Sequence, residues 1–292
     1  MIPLALAGAV AWLPRRPGAW LGRRLGDLIF LTLVGRRRVA LANIALAFPG
    51  VTATDRRRVC RASFQHLGLM FIELCTVLSE APERTLEGIA LDGLDHLKNT
   101  METHGRALIL TAHLGNWELL AVATRRMGFP ATVVVRPLDA PWLDVVAERL
   151  RRKAGVELID KRGALRPVLR ALQRGRLVGL LLDQNASRRE GVFVSFFGRP
   201  ASTSKSLAVL AMRTRAPVVP MFIYRTDVGR HRVVIHPPLP VDAGPDDERA
   251  VTEFTQRCTA AIEAAICVAP DQWLWIHDRW RTQPGPPKGP RA

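Results

Sequence analysis

The chain has 292 residues, 48% of them hydrophobic, enough to bury the core of one large α/β domain with an N-terminal extension. Its formal charge of +16 is carried mainly by arginine, with five lysines in all, and calls for an anionic partner: nucleic acid, a membrane surface, or an acidic protein or substrate. The four cysteines form no CxxC pair and no zinc spacing, which argues against a structural metal and fits reduced thiols in a cytoplasmic compartment.

Met1–Leu13 is apolar but shorter than the roughly 20 residues that a bilayer span needs. Arg15 and Arg16 follow this stretch rather than precede it, so it does not read as a secretory leader. The segment 19–31 mixes Trp20 and leucines with Arg23 and Arg24, the composition of an interfacial helix, although two ordinary core helices would read similarly. Residues 1–61 hold eleven arginines against Asp27 and Asp55, a net +9. Arg36-Arg37-Arg38 opens a helix that Pro49-Gly50 stops, and Asp55–Ser79 reads as a long amphipathic helix with Phe64, Leu67, Phe71, Leu74 and Leu78 on one face. His66 on that helix is expected to be packed or capping rather than a ligand.

From Leu91 the pattern becomes α/β. Strands are predicted at 107–112, 132–136, 156–159, 177–182, 192–196, 218–224 and 232–236. Helical stretches between several of them favour a mixed, largely parallel sheet with helices on its faces. The organisation expected is a membrane-associating segment at 1–35, one domain over 36–282, and a flexible Pro/Gly-rich tail at 283–292.

The first strand, Ala107–Ala112, runs into His113-Leu114-Gly115-Asn116-Trp117-Glu118, with Asn116 placed to cap the helix that begins there. His113 would then lie on the rim where open α/β sheets bind ligands, with Glu118 in the first helical turn, expected to reach back to the imidazole. A histidine with a carboxylate to orient it is the minimum apparatus for deprotonating a hydroxyl near neutral pH. A capping turn with an incidental histidine has the same spacing, and spacing alone does not choose. On the same rim lie Arg136 before Pro137, suited to a phosphate or carboxylate, and Asp183-Gln184 after the strand 177–182. Asp183 reads equally as a strand-end cap. Arg162, Arg166, Arg170 and Arg174 recur every four residues, as a binding stripe or a solvated helix face. Ser202–Lys205 reads as an N-cap cluster.

The wording of these blocks is specific. His-Leu-Gly-Asn-Trp-Glu, Asn43-Ile44-x-x-Ala47-Phe48-Pro49, Arg136-Pro137-x-Asp139, Asp183-Gln184 with Glu190-Gly191-Val192-Phe193-Val194-x-Phe196-Phe197-Gly198-x-Pro200-Ala201, and Trp273-Leu274-Trp275-Ile276-His277 occur in order over residues 38–282. Together they resemble the bacterial lipid A biosynthesis (lauroyl/myristoyl) acyltransferases, within the glycerolipid-type acyltransferases that share a His-x4-acid motif. The resemblance implies a glycerol-3-phosphate acyltransferase-like α/β domain at the cytoplasmic face of a bacterial inner membrane. It implies acyl carrier protein as thioester donor and a glycolipid acceptor, a lipid A precursor. The mechanism expected with it has His113 as general base and Glu118 as its partner, with Gly115, Asn116, Arg136, Arg151, Asp183, Gln184 and Arg199 as substrate-binding residues. Arg136, Arg151 and Arg199 are expected on phosphates or the donor, Asp183 ordering them, and the backbone amides of the Gly115-Asn116 helix start on the oxyanion. No cofactor and no metal is expected.

Other classes fit less well. The second His of HExxH is missing, as are GxSxG, a P-loop and GxGxxG. Nucleic-acid binding has the charge in its favour but no recognised module. Acylation of another glycolipid, such as a phosphatidylinositol mannoside, from acyl-CoA is the nearest alternative.

Overall fold

A computed structural model describes residues 13–79, 87–135, 148–149, 151–153, 155–160, 163–241 and 247–285. Three helices lead the described chain: α1 (Arg15–Thr32), α2 (Val34–Ala47) and α3 (Ala53–Ser79). Then come β1 (Ile89–Asp92), α4 (Leu94–His104), β2 (Ala107–Thr111), α5 (Trp117–Met127), β3 (Ala131–Val135), β4 (Glu157–Asp160), α6 (Leu165–Gln173) and β5 (Leu177–Leu181). The hairpin β6 (Gly191–Phe196) and β7 (Arg199–Ser204), α7 (Ser206–Thr214), β8 (Val218–Asp227), β9 (Arg230–Ile235), α8 (Glu248–Val268) and a 3-10 turn at Pro270–Gln272 complete it.

Seven strands form one sheet in the order β1-β9-β8-β2-β5-β3-β4. Every pairing in it is parallel except β8 with β9. The expected mixed, largely parallel sheet is therefore present, with β2 near its centre. All five residues of β2 are buried, as a strand covered on both faces requires. Leu108 and Leu110 join the core shared with α2, α6, α7 and α8, while Ala107 and Ile109 join the one shared with α4 and α5. Alternation along a single strand thus separates two helical layers.

Two strands were not anticipated. β1 forms beside β9 at the sheet edge, and β7 replaces the expected N-cap cluster by pairing with β6 around a Phe197-Gly198 turn. Both turn residues have positive φ, 51° and 71°, the geometry of a tight hairpin that follows strand twist. Only Ser204 retains a capping role, its Oγ accepting from Ser206 N at 3.4 Å.

α1 lies against α3 through Gly18, Gly22 and Gly26, one residue per turn on one face. A Cβ at Gly26 would come within 2.4 Å of the Phe64 carbonyl, and one at Gly68 within 2.0 Å of the Gly22 carbonyl. Only glycines allow these backbones to approach so closely. Asp27 fastens the contact, accepting from Arg61 Nε at 2.7 Å and Gln65 Nε2 at 2.8 Å, and the bond from Arg61 holds its carboxyl below the usual range. The opposite face of α1 exposes Trp20, Leu28 and Leu31, followed by Leu33. No helix among the described residues is long and apolar enough to cross a membrane. Residues 1–12 and 286–292, and with them most of the first apolar stretch and most of the tail, lie outside the described residues.

Cys60, Cys75 and Cys258 are buried thiols, pushed up to about 11, 11 and 12 by burial. Arg166, Arg170 and Arg174 are exposed on α6, a solvated face, with Arg174 3.3 Å from Glu157; Arg162 lies outside the described residues.

Candidate active site

β2 and β5 are parallel neighbours with Thr111 opposite Leu181. Two residues beyond each strand end stand His113 and Asp183, at the same height on the rim, so register alone brings them together. The Asp183 carboxylate accepts from the His113 backbone N–H at 3.0 Å and lies 2.8 Å from His113 Nδ1. Trp273 Nε1 donates to it at 2.8 Å. Burial alone would raise the pKa of Asp183, but the His113 charge and these three bonds overcome it and hold the group near 2.

A carboxylate at Nδ1 fixes the imidazole tautomer: Nδ1 carries the proton and Nε2 presents a lone pair. The His113 side chain keeps 20% exposure. Gln184 Nε2 stands 3.3 Å from His113 Nε2, a long contact that an incoming hydroxyl would displace. The Trp117 ring meets the imidazole edge to face at 5.0 Å.

Glu118 does not reach back to His113. Its carboxylate is taken by Arg151, with Nε donating at 2.8 Å and Nη2 at 2.5 Å, in a pair with side chains only 12% and 8% exposed. The reason is helical geometry. Trp117 is the first residue of α5 and puts its ring on the imidazole, so Glu118, about 100° further round, faces away. The expected carboxylate partner of the histidine is therefore Asp183, and Arg151 is bound to protein rather than held open for an anion.

Gly115 has φ +60, and a Cβ there would lie 1.9 Å from the Ile223 carbonyl. Its N–H donates to the Gln272 carbonyl at 3.0 Å, which removes it as an oxyanion donor. Asn116 holds the N-cap position of α5 without capping it: its Nδ2 donates to Glu73 Oε2 at 2.7 Å. Arg199 sits at the closed end of the β6–β7 hairpin, where Nε donates to the Leu46 carbonyl at 3.3 Å. The end of that hairpin nearer the site is at Thr203, bridged to Asn185, so Arg199 is about 13 Å further along β7. Arg136 lies outside the described residues.

The site rests on the chain's C-terminal block. Leu114 bridges Trp273, and Leu274 N donates to the His113 carbonyl at 3.1 Å. Asn43 in α2 donates to the carbonyls of Trp275 at 2.8 Å and His277 at 2.6 Å, so two motifs far apart in sequence meet. Trp273, Trp275 and Trp280 are buried with Phe196 as core. Burial lowers His277 to about 4, and as a neutral ring its Nε2 accepts from Asn185 N at 2.9 Å. Arg279, fully buried, donates to the Ser202 carbonyl at 2.8 Å and stacks 4.8 Å over Phe196.

A histidine at a strand end with a buried carboxylate at its Nδ1 is an arrangement suited to general-base chemistry on an α/β fold. Comparison with known proteins gives the reaction class: the chain belongs to the bacterial lipid A biosynthesis acyltransferase family, matched over residues 2–282, and is an acyltransferase. It is 27% identical over 269 residues to the lipid A biosynthesis palmitoleoyltransferase of Escherichia coli K12, covering 91% of this chain and 85% of that protein. Against the lipid A biosynthesis lauroyltransferase of the same organism it is 26% identical, covering 90% and 85%. A shorter match, 26% over 191 residues, links it to the phosphatidylinositol mannoside acyltransferase of Mycolicibacterium smegmatis, with 64% and 60% covered.

Proposed function

We propose that the protein transfers a fatty acyl chain from an acyl carrier protein thioester to a hydroxyl of a lipid A precursor, with His113 as base and Asp183 as its orienting carboxylate. The observation that carries this reading is the His113–Asp183 contact on the sheet rim of a chain whose family acylates lipid A. His113 Nε2 takes the proton of the acceptor hydroxyl as its oxygen attacks the thioester carbon. Asp183 stabilises the imidazolium that forms. The tetrahedral intermediate collapses with cleavage of the C–S bond, and the imidazolium returns the proton to the departing sulfur, giving ester and carrier thiol. With Gly115 N–H engaged and Asn116 fully buried, the amide of the partly exposed Trp117 at the start of α5 is the donor left for the oxyanion. The Glu118–Arg151 pair fixes the segment containing Arg151 against α5.

The N-terminal helices supply the membrane side of this reading. The outward face of α1, with Trp20, Leu28 and Leu31 among arginines, suits the headgroup region of an anionic bilayer at the cytoplasmic face of the inner membrane. The domain proper then follows from about residue 36.

The test uses membranes carrying wild-type protein or His113→Ala, labelled lauroyl- or myristoyl-acyl carrier protein, and tetra-acylated lipid A precursor. Label entering lipid with wild type and not with the variant is the expected result. Full turnover by His113→Ala removes His113 as base. No transfer by folded wild-type protein moves the acceptor to another glycolipid, with acyl-CoA tried as donor.

A further inference from the structure

Behind the turn that follows His113 lies a second buried polar cluster, which the transfer chemistry above does not use. Glu73, near the end of α3, is its hub. Its Oε1 accepts from Arg225 Nη1 and lies 3.2 Å from His231 Nε2, while its Oε2 takes the Asn116 carboxamide at 2.7 Å. The three charged or imidazole side chains are 16%, 10% and 3% exposed for Glu73, Arg225 and His231. Arg225 Nε reaches His66 Nδ1 at 3.5 Å, and the Arg225 backbone exchanges hydrogen bonds of 2.8 and 3.0 Å with the Gln272 side chain. Gln272 in turn takes the Gly115 N–H.

Charge in this cluster is confined to one pair. Burial, and then the Arg225 charge, lowers both His66 and His231 to about 3, so both rings are neutral. A neutral His231 donates from Nε2 to Glu73. Stability does not explain the arrangement. Three of its buried polar atoms have no hydrogen-bond partner: Asn116 Oδ1, Arg225 Nη2 and His231 Nδ1. A buried ion pair with unpartnered donors and acceptors around it is costly compared with apolar packing. What the cluster does accomplish is geometric. It grips Asn116 by its side chain and Gly115 by its N–H, on a segment that the Ile223 carbonyl already confines.

The geometry points to Glu73 as a positioning residue for acyl transfer: through the Asn116 carboxamide it holds the Gly115-Asn116 turn, and with it the first amides of α5, against the reacting centre. It touches no substrate and moves no proton. The inference deepens the proposed function and rests on it, because the amides being held include the one assigned to the oxyanion. It also accounts for an N-cap residue whose side chain caps nothing.

The experiment compares wild type, Glu73→Gln, Asn116→Asp, Asn116→Ala and the double variant E73Q/N116D as full-length protein in membranes, with the donor and acceptor above. Either single change at the polar bond is expected to lower kcat about 10- to 100-fold with KM within about threefold, because the loss falls on the transition state. The double variant restores the bond with donor and acceptor exchanged, and is expected to recover at least about tenfold in kcat over the worse single variant. A residue that only supports folding would lower melting temperature and yield without that recovery. Wild-type kcat in folded Glu73→Gln overturns the proposal; should that variant not fold, wild-type kcat in Asn116→Ala does so. Amide hydrogen exchange across 113–119 is read in the same set, expected about tenfold faster in the singles and restored in the double. Unchanged exchange in the singles refutes the proposal even if wild-type protein transfers no label, whereas lack of transfer with exchange as expected counts only against the donor and acceptor.

Discussion

Replacing Asp183 by Asn changes one atom and removes the charge on which the proposed mechanism depends. The carboxylate lies fully buried, 2.8 Å from Nδ1 and held near 2 by its partners, so it is ionised throughout the physiological range. Two losses follow. An amide NH2 facing Nδ1 would demand a lone pair there, shifting the imidazole proton to Nε2 and blocking the base. The imidazolium of the transition state would also lose an anion about 4 Å from its ring centre, worth roughly 4 kcal/mol at an effective dielectric of about 20. With part of a charge-assisted hydrogen bond added, the total is about 4–6 kcal/mol, or a fall in kcat of about 10³- to 10⁴-fold. Serine protease triads lose about 10⁴-fold for the same change, by the same logic. The assay is single-turnover transfer of labelled acyl chain with membrane-bound protein, alongside a thermal melt to confirm folding. A folded Asp183→Asn variant retaining more than about a tenth of wild-type kcat refutes the reasoning and returns the orienting role to another group.

Glu118→Gln leaves the imidazole contacts intact but strands the Arg151 guanidinium; breaking so buried a pair is expected to cost about 3 kcal/mol, seen as a fall of about 6 °C or more in Tm. An unchanged Tm would mean that Arg151 has solvent to turn to. His66 and His231, lowered by burial and by the Arg225 charge to about 3, bind fewer protons folded than unfolded between pH 6.5 and 3. Their contribution is therefore intact above pH 6.5 and lost as pH falls: about 2 kcal/mol each between pH 7 and pH 5, read from urea melts at the two values. Equal stability at both contradicts neutral burial. Leu28→Ser with Leu31→Ser on the outward face of α1 should reduce binding to anionic phospholipid vesicles at least about tenfold while leaving Tm within a few degrees. Undiminished binding would place the membrane contact elsewhere.

The strand before His113 was legible because four consecutive buried apolar residues, Ala107–Leu110, leave few alternatives, and apolar runs mark β5 and β8 in the same way. β7 was not, since its Ser and Thr residues carry no apolar alternation; its one local signal was the Phe197-Gly198 turn. Glu118 was assigned to the imidazole because it is near in sequence, whereas Asp183 reaches it through strand register, a relation 70 residues apart. Glu73 carries no signal in the sequence beyond being one polar position on α3, because its partners Asn116, Arg225 and His231 come from outside that helix. The glycine spacing of α1 was visible in the sequence, but its meaning required the facing Gly68.

That facing glycine has a mechanical consequence. Gly68, where α1 is seated, and Glu73, where the turn after His113 is tied, lie on the same helix, about 7.5 Å apart along its axis. With no Cβ between the two backbones, α1 has little room to slide or roll on this strut. With α1 as the membrane contact proposed above, the lipid-facing helix and the turn after His113 share one rod, which sets the height of the site above the surface. Reach along the acceptor is then gauged by the length of a helix rather than by the sampling of a loop.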